Sequence, residues 1–166
     1  VGNPPYGARK PDYKKAVYAR LYGQRERDLR AGSVGTGDAD TYGMFFVNAI
    51  ERLREGGRLC LITNDSFRSV TTHTRLRRHI ADRCKIVENL LTATKHFEGV
   101  GIQFAGMAIT TLEKCSDADA RGQHEMRLVD YLRDPRDFAQ PPAGHVTTLR
   151  QRVYEPQCGM DHVVHR

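Results

Sequence analysis

The chain has 166 residues and a mass of 18.8 kDa, which is enough for one domain with a hydrophobic core. Its formal net charge is +6 and its mean hydropathy is −0.58, values typical of a globular protein. It contains no apolar run of about 18 residues and no charged segment followed by an apolar one at its start, which excludes a membrane-spanning helix and a secretory signal peptide. It does not begin with Met, so we expect a fragment of a longer protein.

The first third of the chain predicts a helix, a loop and a second helix. Residues 11–30 are typical of a helix with basic side chains, and the glycine-rich residues 31–38 are typical of a flexible loop without the lysine of a phosphate cradle. The second helix is capped by Asp38 or Asp40 and ends at Gly56-Gly57. Its apolar residues recur at helical spacing: Tyr42, Phe45, Phe46, Ala49, Ile50 and Leu53.

The middle of the chain predicts three strands, at residues 58–64, 85–91 and 104–112. A helix that begins at Asn64, Asp65 or Ser66 and runs to Ile80 separates the first two, with Leu76 and Ile80 facing the core and the arginine cluster facing solvent. No helix fits between the last two strands, so we expect them to pair antiparallel. The strand at 58–64 is apolar on both faces, as in the interior of a sheet.

Residues 116–166 have a weaker pattern. Residues 127–132 are compatible with a short strand or a helix, and the prolines between 134 and 142 interrupt regular structure. We therefore expect this part of the chain to be a connection to another region and not a second core.

The cysteines Cys60, Cys84, Cys115 and Cys158 are widely spaced, which indicates reduced thiols in a cytosolic protein. Cys158 with His162 and His165 imitates a metal cluster but lacks a fourth ligand, so no metal is predicted. His73, His79 and His96 have no serine or aspartate at the spacing of a catalytic triad, and we expect surface or hydrogen-bonded histidines.

Basic residues are concentrated in two stretches, residues 1–30 and 68–85. This distribution indicates either a face that binds a polyanion such as DNA or two solvated helix faces. The candidate contacts to the DNA backbone are Arg9, Lys10, Lys14, Lys15, Arg68, Arg75, Arg77 and Arg78.

The tetrapeptide Asn3-Pro4-Pro5-Tyr6 opens the chain, and in isolation it is equally typical of a surface turn. Together with the sequence that follows, it resembles the gamma-type DNA adenine-N6 methyltransferases, including those fused to restriction nucleases. The resemblance covers about residues 1–115 in the order of that family. It includes residues 40–46, 49–53, 55–59, 61–67, 76–80 and 96–97.

The resemblance implies an α/β fold, part of the Rossmann-like fold of class I S-adenosylmethionine-dependent methyltransferases. This chain would hold the later strands of a seven-stranded sheet, which ends in an antiparallel hairpin. Residues 1–115 would be the C-terminal half of the catalytic domain, and residues 116–166 would lead towards a target-recognition region. The cofactor-binding residues of the family are expected upstream of Val1.

The resemblance also assigns catalytic roles to the tetrapeptide. The side-chain oxygen of Asn3 and the carbonyl of Pro4 would accept hydrogen bonds from N6 of an adenine flipped out of the duplex, and Pro4 and Pro5 would hold these acceptors in place. Tyr6 and Phe97 would stack on the two sides of the flipped base.

The implied function is methyl transfer from S-adenosylmethionine to adenine N6 in DNA, in the cytoplasm of a prokaryote, for restriction-modification or phage defence. Its partners would be DNA and the N-terminal half of the same enzyme or a split subunit, and the isolated chain is expected to be inactive. Three alternatives stay open: a non-catalytic DNA-binding remnant, a subunit that completes the sheet of a partner, and an enzyme that methylates RNA or a protein glutamine.

Overall fold

The computed structural model describes residues 1–5, 41–69, 73–92, 106–131 and 145–154. The helices in these ranges are α1 (Thr41–Arg52), α2 (Thr74–Ala81) and α3 (Ala118–Gln123). The strands are β1 (Arg58–Asn64), β2 (Cys84–Thr92), β3 (Met107–Lys114), β4 (Glu125–Tyr131) and β5 (Val146–Arg150). Short 3-10 helices, Asp65–Arg68 and Gln151–Tyr154, follow β1 and β5. The predicted helix 11–30 and loop 31–38 lie outside the described residues, and no described helix is long and apolar enough to span a bilayer.

The five strands form one mixed sheet in the order β1-β3-β2-β4-β5. β3 pairs antiparallel with both β1 and β2, β2 pairs parallel with β4, and β4 pairs antiparallel with β5. The predicted antiparallel pairing of the strands that we expected at 85–91 and 104–112 is therefore confirmed. Because β1, β2 and β4 run in the same direction, they all end on one edge, at Asn64, Thr92 and Tyr131, which we call the carboxyl edge.

Helices α1 and α2 cover one face of the sheet and form the core with it. The predicted inward residues of α2, Leu76 and Ile80, are buried. In α1 the buried residues are Tyr42, Phe46, Val47 and Ile50. Our assignment of Phe45 to the buried stripe was wrong, because this residue is 45% exposed and Val47 is buried in its place.

The end of α1 is also earlier than predicted, since the helix stops at Arg52. The two glycines shape the turn into β1. Gly56 has a φ of 72°, a conformation that favours glycine. A Cβ on Gly57 would lie only 2.8 Å from the carbonyl oxygen of Arg54, so no side chain fits there. Both glycines bond to the backbone of Lys114 at the end of β3, which fixes the turn to the sheet.

The helix that we predicted from residue 64 to Ile80 is divided in the structure. A 3-10 turn covers Asp65–Arg68, and α2 begins only at Thr74. The Asn64 side chain does act as a cap, because its Oδ1 accepts a hydrogen bond from Ser66 N at 2.7 Å. Arg68, expected to face solvent, is only 6% exposed, which corrects the prediction of an outward-facing arginine cluster at this position.

The described part of residues 116–154 joins the same sheet. The pattern at 127–132 that was compatible with a strand or a helix corresponds to β4, and Met126 and Leu128 on this strand are part of the core. Strands β4 and β5 therefore extend the same sheet, and no second core forms among the described residues, whereas the predicted connection to another region stays a prediction. The functional boundary at residue 115 stays a prediction. Cys60, Cys84 and Cys115 are free thiols, while Cys158, His162 and His165 lie outside the described residues.

Candidate active site at the carboxyl edge

The start of the chain lies beside β1. Gly2 N donates a hydrogen bond to Cys60 O at 2.9 Å, and Ile62 N donates to Gly2 O at 3.0 Å, so Gly2 pairs parallel with β1. A Cβ on Gly2 would lie 3.0 Å from Cδ2 of Leu61, which shows how closely the two segments approach. Because the pairing is parallel, residues 3–5 follow Gly2 in the direction of the carboxyl edge. In open α/β sheets this edge is where ligands bind.

The three described residues of the tetrapeptide differ in burial. Pro4 is buried, whereas Asn3 and Pro5 are exposed. A buried proline with a fixed φ holds the backbone on both sides of it, so the segment presents Asn3 from a fixed backbone. Tyr6 lies outside the described residues, and its stacking role stays a prediction.

A polar turn follows β1 at the same edge. It consists of Asn64 and the 3-10 helix Asp65–Arg68, and we call it the β1 turn. The backbone N of Asp65 donates to Gly106 O at 3.3 Å, which connects the turn to the residue before β3. Burial raises the pKa of the Asp65 carboxyl, and the neighbouring Arg68 opposes that shift only in part.

Tyr42 connects the β1 turn to both helices. Its hydroxyl lies 3.0 Å from Ser66 Oγ and 3.1 Å from Nε2 of His73, the residue before α2. Its ring packs edge-on against Phe67, with ring centroids 6.4 Å apart. Sequence reasoning missed this group of side chains. The residues are 24 and 31 positions from Tyr42, and no local pattern predicts a contact over such separations.

The segment that contains Phe97 and His96 lies outside the described residues, but both of its ends are at the carboxyl edge. Thr92 ends β2 and pairs with Met107, the first residue of β3. Thr92 and Met107, which flank this segment in the sequence, therefore lie at the carboxyl edge, towards which residues 3–5 also run. This arrangement is compatible with the predicted role of Phe97 and does not test it.

The candidate DNA contacts have different surroundings. Arg68 is buried, Arg77 donates from Nη1 to Phe67 O at 3.0 Å, and Arg78 is exposed. The side chain of Arg75 lies outside the described part of the structure, as do Arg9, Lys10, Lys14 and Lys15. Among the described residues, no group of three or more histidines, cysteines or acidic residues is arranged to hold a metal ion.

Solved structures with a similar fold include restriction enzymes and methyltransferases. The type IIG restriction endonuclease BpuSI matches with a TM-score of 0.63 and 13% identity over 97% of this chain and 20% of that one. A Listeria monocytogenes protein assigned to the class I S-adenosylmethionine-dependent methyltransferases matches with a TM-score of 0.57 and 20% identity, over 81% of this chain and 36% of that one. The M protein of the type I restriction enzyme EcoKI matches with a TM-score of 0.52 and 16% identity, over 93% and 28%.

This chain thus spans between 20% and 36% of the length of these three proteins. The likeness confirms the predicted α/β fold, a partial Rossmann-like sheet of the class I methyltransferase type. No curated protein sequence matches the chain. A family model does match it, the Eco57I restriction-modification methylase model, over residues 1–97 and so over more than half of the chain. The chain belongs to the Eco57I restriction-modification methylase family.

Proposed function

We propose that this chain is the C-terminal half of the catalytic domain of a DNA methyltransferase that acts on adenine N6. One observation carries the proposal: the segment Asn3-Pro4-Pro5 directly follows the parallel pairing of Gly2 with β1 and runs towards the carboxyl edge. The edge of an open α/β sheet where strands end is the general position of ligand sites in such folds. The resemblance to adenine methyltransferases implies that the ligands at this edge are a methyl donor and a DNA base.

The proposed chemistry uses Asn3 and Pro4 as hydrogen-bond acceptors. The lone pair of adenine N6 is delocalised into the ring, which makes the amino group a poor nucleophile. When the Asn3 side-chain oxygen and the Pro4 carbonyl accept its two hydrogens, the lone pair is directed at the methyl group and the positive charge that develops on nitrogen is stabilised. The buried Pro4 supports this role, because acceptors on a fixed backbone need no reorganisation during the reaction.

S-adenosylmethionine is the proposed methyl-donating substrate. At the carboxyl edge, Asn64 Oδ1 accepts a hydrogen bond from Ser66 N, and Ser66 Oγ lies within hydrogen-bond distance of the Tyr42 hydroxyl, so both polar atoms already have partners within the protein. On the resemblance to the methyltransferase family, we propose that the cofactor-binding residues lie upstream of Val1, in the same protein or in a split subunit. Tyr6 and Phe97 are the proposed stacking partners of the flipped base. Stacking on these rings would recover part of the free energy that the base loses when it leaves the duplex.

The decisive experiment replaces Asn3 in the protein that also carries the cofactor-binding half. We expect Asn3→Ala to lower kcat for methyl transfer from labelled S-adenosylmethionine to DNA by at least about 100-fold, as when one preorganised acceptor or donor of a reacting group is removed. The affinity for DNA should change little. Asn48 is an exposed asparagine on α1, so Asn48→Ala is the matched control, and we expect kcat to stay within about twofold of the unmodified enzyme.

The identity of the product completes the test. Digestion of the methylated DNA to nucleosides should give N6-methyl-2′-deoxyadenosine as the only methylated nucleoside. Methylation that survives Asn3→Ala, or a methyl group found on RNA or on a glutamine side chain, contradicts the proposal. Salt-sensitive DNA binding without any methylation in the complete protein would favour the DNA-binding remnant instead.

A further inference from the structure

Tyr42 combines the packing of a core side chain with polar contacts of its hydroxyl group. The residue is only 2% exposed, and its ring packs with Phe67 and lies 5.7 Å from the ring of His73. Its hydroxyl is within hydrogen-bond distance of both Ser66 Oγ and His73 Nε2. A phenylalanine would fill the same core volume, so packing alone does not require the hydroxyl. The hydroxyl connects three segments: the start of α1, the β1 turn and the residue before α2.

The segment that Tyr42 holds is part of the carboxyl edge. Ser66 belongs to the β1 turn, whose first residue, Asn64, is the last residue of β1. The same turn is bonded through Asp65 N to Gly106 O, at the end of segment 93–105. On the side opposite β3, β1 is bonded to Gly2, the residue immediately before Asn3. The β1 turn is thus bonded to Gly106 and continues directly from β1, the strand that holds Gly2 and the Asn3 that follows it.

We propose that Tyr42 is a positioning residue for methyl transfer. Its hydroxyl, together with Ser66 and His73, fixes the β1 turn, which in turn holds the end of β1 against Gly2, so that Asn3 is kept in place for the base. This inference rests on the proposed function, since it assigns a role only if a base reacts at this edge. Tyr42 itself does not touch the base.

The size of the effect follows from geometry. Displacing a catalytic group by about 1 Å costs up to about 100-fold in rate. In Tyr42→Phe the ring still packs against Phe67, but the hydroxyl contacts to Ser66 and His73 are lost and the turn becomes looser. We expect kcat to fall about 10-fold, with KM for DNA and for S-adenosylmethionine within about twofold of the original values.

The test uses Tyr42→Phe, Ser66→Ala and the double variant in the protein that also carries the cofactor-binding half. The matched control is Thr110→Val, because Thr110 also donates a buried hydrogen bond, to Asn89 Oδ1 at 2.8 Å, but belongs to the interior of β3. Rates are measured well below the lowest Tm, so that every variant is folded. We expect Thr110→Val to lower Tm and to leave kcat unchanged, and the kcat losses of Tyr42→Phe and Ser66→Ala to be less than additive.

The inference is overturned if Tyr42→Phe has the same kcat as Thr110→Val, or if the losses of Tyr42→Phe and Ser66→Ala are fully additive. These outcomes are distinct from a failure of the proposed function, which Asn3→Ala tests separately. If Asn3→Ala abolishes methylation while Tyr42→Phe does not slow it, the enzyme assignment stands and Tyr42 has only a packing role.

Discussion

His79 is a buried histidine between the two helices that cover the sheet. It lies on α2 and is 5% exposed, and its Nε2 is 3.3 Å from Glu51 Oε1 on α1. Burial is the main cause that lowers the pKa of His79 from 6.5 to about 4; the positive charges of Arg83 and Lys114 contribute to this lowering, and the attraction of Glu51 and Asp82 opposes it. At neutral pH the folded protein therefore holds this imidazole in its uncharged form.

The lowered pKa of His79 makes stability depend on pH. Since the unfolded chain takes up a proton near pH 6.5 and the folded one only near pH 4, stability falls as the pH decreases between these values. After allowance for partial solvent screening, we expect His79 to account for about 2 kcal/mol of this loss. Denaturant unfolding from pH 7 to pH 4 measures it.

His79→Gln is the control for this pH dependence, because glutamine keeps a polar group near Glu51 and does not titrate. Its free energy of unfolding should fall less between pH 7 and pH 4 than that of the original chain. An identical pH profile for the two proteins would show that carboxylates alone cause the acid sensitivity.

At the scale of elements, Gln151 attaches the end of the described chain to β2. Its Oε1 accepts from Ile86 N at 2.8 Å and its Nε2 donates to Cys84 O at 2.7 Å, just before β2 begins its pairing with β4 at Glu88. The side-chain amide thus takes the place of the peptide group of a neighbouring strand. The residue is 3% exposed, so both bonds are shielded from water.

Removing this amide should destabilise the sheet. We expect Gln151→Ala to lower the free energy of unfolding by about 2–3 kcal/mol, because a buried N–H and a buried carbonyl lose their partner. Gln151→Glu should cost at least as much, since it directs a carboxylate at the Cys84 carbonyl. Gln123 is exposed at the end of α3, so Gln123→Ala is the control and should change stability by less than about 0.5 kcal/mol. Equal stabilities of the two alanine variants would contradict this role of Gln151.

The sequence predicted a helix or strand correctly where its apolar residues allow only one choice of buried side. The apolar run at 58–64 gave the bounds of β1, and Leu76 and Ile80 gave the buried side of α2. The run Phe45-Phe46-Val47 permits two stripes, one through Phe45 and one through Val47, and only packing against the sheet selects the second. Gln151 could not be predicted, since its partners are 65 and 67 residues away.

The same distinction applies to the candidate site. The resemblance identified Asn3, Pro4 and Pro5, and the structure adds what precedes them, the parallel pairing of Gly2 with β1. The Tyr42 contacts were not predictable, because His73 carries no sequence signal that distinguishes it from a surface histidine. Local patterns thus predict elements, whereas contacts between distant segments require the fold.

At the scale of the whole molecule, several basic side chains of the described residues stabilise the fold. Lys114 Nζ donates to Ile50 O in the last turn of α1, and Arg121 Nε donates to Ala81 O at the end of α2. These contacts satisfy carbonyls that a helix end leaves without intrahelical partners. Arg58 and Arg127 form ion pairs across strands with Glu113 and Glu88. These four basic side chains are therefore engaged within the fold, and a phosphate would have to compete for them.

Arg78 is the best-placed test of DNA binding by the stretch 68–85, because it is exposed on α2, whereas Arg68 is buried and Arg77 is bonded to Phe67 O. If Arg78 neutralises one phosphate, Arg78→Ala should reduce the slope of log affinity against log salt concentration by about 1, equally for all DNA sequences. Arg58→Ala is the control, since Arg58 is also largely exposed but is paired with Glu113. We expect the slope for Arg58→Ala to match that of the original protein.

Arg68→Ala should instead lower the free energy of unfolding, because it removes a buried side chain. A salt slope unchanged by Arg78→Ala would indicate that this stretch is a solvated helix face and would leave residues 1–30 as the candidate DNA contact.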